Sequence, residues 1–163
     1  MNPEKDELHE AAAIAVITIG NELMGDDGAG PAVFEALRKE PLPPGVDVID
    51  GGTGGMSLLH VIKDYPHVIL VDCADFGGNP GEVKVFVPEE VRSLKEIEYS
   101  LHQLDLLEVI ALSQRIGEAP RTIHIVAVQP ERIEPATTLT RKVSAALPLM
   151  VKEVLKQIMK MTQ

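Results

Sequence analysis

The feature that most constrains this chain is an ordered alternation of apolar, β-branched runs with amphipathic helical patterns. "AIAVITIG" (Ala13–Gly20) is rich in β-branched residues and ends at glycine, the pattern of a buried strand. "GPAVFEALRKE" follows, with Val33, Phe34 and Leu37 on one helical face and Arg38 and Lys39 near the C-terminal end, where cations suit the helix dipole. "PLPPG" breaks the chain; "VDVID" then reads as a second strand and "MSLLHVIKDY" as a second helix. "HVILVDCAD" is the most apolar strand and is predicted to be central. "GGNPG" turns into "EVKVFVP", which alternates with period two as a half-exposed strand does. Helical patterns at "PEEVRSLKEI" and "HQLDLLEVIALSQRIG" precede a fifth strand, "TIHIVAVQP". The last segment, "TLTRKVSAALPLMVKEVLKQIMKM", aligns Val143, Leu147, Met150, Val154 and Ile158 in one apolar stripe.

Strands that alternate with helices are joined by crossovers. The expected fold is therefore α/β: one domain over residues 1–163, with a twisted, mostly parallel five-stranded sheet and helices on both faces. "GGNPG" is too short for a crossover, so one strand, the fourth, is predicted to run antiparallel to the third. Residues 1–12 are acidic and polar, which predicts a flexible N-terminal tail rather than a signal peptide. At 163 residues and 45% hydrophobic, the chain can bury a core and does not have a disordered composition. No run of about 18 apolar residues predicts a membrane span. A single cysteine, Cys73, rules out an internal disulfide and suits a reducing compartment, so a cytoplasmic location is expected. A net charge of −10 with few lysine or arginine clusters argues against nucleic acid as a partner.

Open α/β sheets bind ligands beyond the carboxyl ends of their strands. The first strand delivers "GNELMGDDGAG" to that edge, the second "DGGTGG" and the third "DCADFGG". Each exit is glycine-rich, so backbone can approach a ligand closely. Each also supplies aspartate: Asp26 and Asp27, Asp50, and Asp72 with Asp75. A phosphate cradle would want a cation beside its N–H groups, and the first loop has no lysine or arginine. Converging carboxylates repel unless protons or a cation compensate, so this edge suits a cation or a positively charged ligand. Plainer roles compete. One of Asp26 and Asp27 is expected to cap the following helix, and Asp50 and Asp72 taken singly read as turn aspartates.

The histidines divide by position. His9 lies in the tail, His60 is expected to pack within its helix, and His67 precedes a strand at the opposite edge. His124 sits inside the fifth strand, and His102 starts a helix, where alone it reads as an ordinary surface histidine. There is no H-E-x-x-H and no G-x-S-x-G. Cys73 is a poor nucleophile because its neighbour Asp72 raises a thiol pKa.

Five blocks in this order, "AVITIGNELMGDDGAGP", "VIDGGTGGMSLL", "ILVDCADFGGNPGEV", "SLHQLDL" and "IVAVQPERIEP", resemble the nickel–iron hydrogenase maturation endopeptidases. The resemblance implies a mostly parallel sheet between helices. It also implies an enzyme that removes a short C-terminal extension from the hydrogenase large subunit precursor after nickel insertion. By the same resemblance Asp27, Asp72 and His102 are the catalytic and metal-contacting residues. Asp50, with Gly51, Gly52 and Thr53, belongs to substrate recognition. Two carboxylates and one imidazole suit Ni²⁺ or Zn²⁺, and three ligands leave positions open. Without a thiolate the set should hold metal weakly, so the nickel is expected to be carried by the substrate rather than permanently bound. The metal then either activates water or polarises the scissile carbonyl, or it docks the substrate while Asp72 acts as general base. Asp105 would share a helical face with His102, and Glu22 is a further acid in the first block, outside the ligand set. The competing functions are a non-catalytic nickel-site checkpoint or metal chaperone for the same partner, a nucleotide-binding α/β protein, and a peptidase with a different substrate.

Overall fold

The computed structural model describes residues 13–93 and 101–163, with residues 91–93 and 101–105 described for the backbone alone. The tail expected over residues 1–12 lies outside the described residues. Five strands form one sheet: β1 (Ile14–Thr18), β2 (Val46–Asp50), β3 (His67–Cys73), β4 (Val83–Phe86) and β5 (Thr122–Val128). The helices are α1 (Ala29–Leu37), α2 (Leu58–Ile62), α3 (Pro88–Ser93), α4 (Leu101–Arg115) and α5 (Arg141–Met161), and a 3₁₀ turn spans Gly25–Gly28. No helix of the described residues is long and apolar enough to cross a membrane.

The strand order is β2-β1-β3-β5-β4. β1 pairs in parallel with both β2 and β3, and β3 pairs in parallel with β5. β4 runs antiparallel, as expected, but its partner is β5 and not the preceding β3. The physical reason lies in the two strands. β5 is buried along most of its length and needs a neighbour on each side. β4 is only half-buried and carries the exposed Lys84, features that suit a sheet edge.

Alternation along the strands sorts the core into two layers. Ile14 and Val16, Ile69 and Val71, and Val126 and Val128 face α1 and α5. Ala15 and Ile17, Val68 and Leu70, and Ile123, Ile125 and Ala127 face α2 and α4. The stripe on α5 falls where its spacing requires: Val143, Met150, Val154 and Ile158 are buried, and Leu147 packs partly buried beside them. On α1, Val33 and Leu37 are buried, while Phe34 stays half-exposed with the Arg38 guanidinium 5.6 Å from its ring centre.

Candidate active site

The carboxyl ends of the first three strands are stitched together by their own backbone. Ile19 N–H donates to the Val71 carbonyl (2.8 Å), Gly20 N–H to the Gly52 carbonyl (2.8 Å), and Gly51 N–H to the Thr18 carbonyl (2.7 Å). The three acidic exits therefore share one edge. Gly20 adopts φ +152°, and a Cβ there would collide with the Asp27 carbonyl oxygen. The loop thus turns tightly onto the 3₁₀ turn that carries Asp26 and Asp27. Both side chains are buried, although each is a carboxylate. Asp27 Oδ2 accepts Asn21 N–H at 3.0 Å, which closes the loop over its own acid.

Asp72 is the penultimate residue of β3 and is 1% exposed. Its Oδ1 accepts Cys73 N–H at 2.7 Å. By alternation it shares a face with Val68 and Leu70, the face covered by α4. α4 runs back to deliver β5 at the opposite edge, so its first turn starts at the strands' carboxyl edge. His102 is the second residue of that helix. The side chains of His102 and Asp105 lie outside the described residues. Among the described residues no group of three His, Cys, Asp or Glu side chains is arranged to hold a metal ion.

Cys73 is buried at the same edge as these acids. Its thiol is pushed far up, first by burial and then by the charges of Asp72, Asp27, Asp26 and Asp75. Four carboxylates from two loops and a strand end thus act on one buried sulfur. The thiol stays protonated at any ordinary pH and is no nucleophile. Linkage fixes the sign of the consequence. Above the ordinary thiol value of 9.0 the unfolded chain releases this proton and the folded chain keeps it, so stability falls as pH rises. Tyr65, pushed up to about 12 by burial and by its hydrogen bond to Asp47, adds a loss of the same sign at higher pH. The urea midpoint should drop between pH 8 and pH 10, and Cys73→Ala should flatten that drop while leaving peptidase activity in place.

The adjacent aspartates have separate surroundings. Asp26 does not cap α1, contrary to expectation for one of the pair: the N-cap residue is Gly28, and no side chain fills that role. Asp26 instead accepts Glu131 N–H and Arg132 N–H at 2.9 Å each, Thr140 N–H at 2.7 Å and the Thr140 hydroxyl at 2.9 Å. Asp50 ends β2 exposed, and its Oδ1 accepts Gly52 N–H at 2.9 Å in a local turn. Gly52 and Thr53 form an exposed turn beside it, and Gly51 is half-buried.

Residues 31–157 match the family model of HycI, hydrogenase maturation protease. The chain is 36% identical over 144 residues to the hydrogenase 2 maturation protease of Escherichia coli K12, covering 87% of this chain and 88% of that protein. The chain belongs to the hydrogenase maturation protease family. It is also 32% identical over 135 residues to the hydrogenase expression/formation protein HoxM of Cupriavidus necator, covering 82% of this chain and 67% of HoxM. Its fold superimposes on the hydrogenase maturating endopeptidase HybD of E. coli with a TM-score of 0.83 at 34% identity, covering 90% of this chain and 92% of HybD. The maturation protease HybD of Thermococcus kodakarensis gives 0.71 at 26% identity, with coverages of 89% and 98%. The five-stranded mixed sheet is that of this protease family.

In this protease the structure brings Asp27 and Asp72 to one edge and starts the helix of His102 there. His67 is at the far edge, with Nδ1 2.7 Å from Thr122 Oγ1, and His124 lies along β5 with a buried Nδ1 that has no hydrogen-bond partner among the described residues. His60 is exposed rather than packed, because the five-residue α2 buries only Leu58 and Ile62. One further residue, Gln129, holds the third exit. Its Oε1 accepts Phe76 N–H (2.9 Å) and Gly78 N–H (3.1 Å), and its Nε2 donates to Asp75 Oδ1 (3.0 Å). Nothing in the sequence marks Gln129 except its place one residue after β5.

Proposed function

We propose that this protease removes the C-terminal extension of a hydrogenase large subunit precursor once nickel is in place, and that Asp27, Asp72 and His102 recognise that nickel as it arrives with the substrate. The observation that supports this reading is that Asp27 and Asp72, both buried, come to the same carboxyl edge of the sheet, where burial first and then the charge of each raise the Cys73 thiol. Like charges crowded away from water favour a divalent cation between them. Two oxygen donors and one imidazole make a borderline set. With Cys73 a neutral, buried thiol, such a set binds metal loosely and leaves positions for the substrate's own ligands. Nickel held there would either act as a Lewis acid on water or the scissile carbonyl, or only dock the substrate. The protein's residues do the rest. Asp27 and His102 hold the substrate's metal, and Asp72 either joins them or takes a proton from the attacking water. Asp50, Gly52 and Thr53, exposed on the adjacent turn, and the half-buried Gly51 present polar groups to the peptide. A cysteine in no disulfide suits a reaction in the cytoplasm.

Purified protein mixed with nickel-loaded and nickel-free precursor tests the reading. Only the loaded form should lose its tail. Equal cleavage of both forms would discard nickel recognition. Tight binding of the loaded form with no shortening would instead identify a checkpoint or metal chaperone.

A further inference from the structure

Asp26 is fully buried, and among the described residues its carboxylate takes its hydrogen bonds from one loop. Glu131 N–H, Arg132 N–H and Thr140 N–H all point at its carboxylate, and the Thr140 hydroxyl lies 2.9 Å from each oxygen. Hydrogen bonds to a charged acceptor are about twice as strong as neutral ones. Thr140 is the N-cap residue of α5, yet its hydroxyl makes no capping bond and turns to Asp26 instead. The two segments are also joined by backbone. Asp26 N–H donates to the Arg132 carbonyl (3.1 Å), Gly25 N–H to the Ala136 carbonyl (3.0 Å), and Ala136 N–H to the Leu23 carbonyl (3.1 Å). Leu139 of the same loop lines both clefts beside the turn, of about 200 Å³ and 170 Å³. The Gly25–Gly28 turn therefore cannot shift without breaking several bonds to the loop after β5, and Asp27 is the next residue on that turn.

We infer that Asp26 is a positioning residue, which anchors the turn to the Glu131–Thr140 loop and so sets where the Asp27 carboxylate stands. The adjacent acids divide the work: one holds the backbone, and the other meets the substrate's metal. This rests on the proposed role of Asp27. An asparagine at position 26 would turn an amide N–H toward backbone donors, loosening the turn while leaving Asp27 chemically intact.

The test is a double-mutant cycle. Asp26→Asn is made alone and with Asp27→Asn, and single-turnover cleavage of nickel-loaded precursor and the urea midpoint are measured for all four proteins. Alone, Asp26→Asn should slow cleavage per folded molecule by about 100-fold, the scale expected for a misplacement of about 1 Å. In the Asp27→Asn background it should slow the residual rate little further, while its effect on the midpoint stays the same in both backgrounds. Equal slowing in both backgrounds overturns the proposal. So does a normal rate per folded molecule for Asp26→Asn when Asp27→Asn is inactive. A normal rate for Asp27→Asn sinks the underlying site reading together with the proposal. If Asp26→Asn does not fold, Thr140→Val removes the hydroxyl donor alone. A several-fold lower rate supports the anchoring role, and an unchanged rate refutes it.

Discussion

Asp72→Asn is expected to lower the rate of precursor cleavage by about 100- to 10,000-fold, the range for losing an acid–base group or its equivalent at a reacting centre. The substitution is nearly isosteric, and the asparagine Oδ1 can still accept the 2.7 Å bond from Cys73 N–H. The protein should therefore unfold cooperatively at a midpoint close to the native one, and the loss is read as chemistry rather than misfolding. What changes is charge at a site that is 1% exposed and flanked by other acids. Comparing the nickel dependence of the residual rate separates the two roles open to Asp72. If it contacts the metal, the variant should also bind nickel-loaded precursor more weakly. If it is only the base, binding should persist while the rate falls and its pH profile changes. Near-native cleavage by Asp72→Asn would leave the proposed site without support.

Gly20→Ala should be severely destabilising, costing on the order of 3–5 kcal/mol. Gly20 sits at φ +152°, which side chains with a Cβ rarely adopt. An alanine methyl there would also collide with the Asp27 carbonyl oxygen, and it would press on Pro31 Cδ at 3.1 Å. Neither obstacle is the flexible end of a side chain, so relief requires the loop itself to move. The loop carries the 2.8 Å bond from Gly20 N–H to the Gly52 carbonyl, which ties the first exit to the second. Chemical denaturation of the purified variant gives the cost, and precursor cleavage by the folded fraction should be lost with it. Gly52→Ala is the matched control, because a Cβ there meets nothing within 4 Å although φ is +57°. It should cost far less. Equal stability of the Gly20 and Gly52 variants would refute the close-packed loop.

Much of the fold was legible because its signals are local. β3 declares itself by an unbroken apolar run, and α5 by a stripe whose period survives 21 residues. Short elements carried less information. The five residues of α2 bury one side only, which leaves His60 in solvent where an apolar flank on both sides suggested packing. The placement of β4 beside β5 depends on a strand nearly forty positions further along, and no local pattern in "GGNPG" can encode that.

By itself, the order of strands, glycine-rich exits and aspartates determined that acid would collect at one sheet edge, since alternating strands and crossovers leave those exits nowhere else to go. That pattern could not tell Asp26 from Asp27, because two neighbouring residues of one type carry the same local signal; the family resemblance singled out Asp27 without giving Asp26 a role. Only the tertiary structure gave each its physical surroundings, by bringing the Glu131–Thr140 loop, more than a hundred residues away, onto one carboxylate and an Asn21 amide onto the other. A buried charge takes its role from the donors that surround it, and those donors are assembled only when the chain folds.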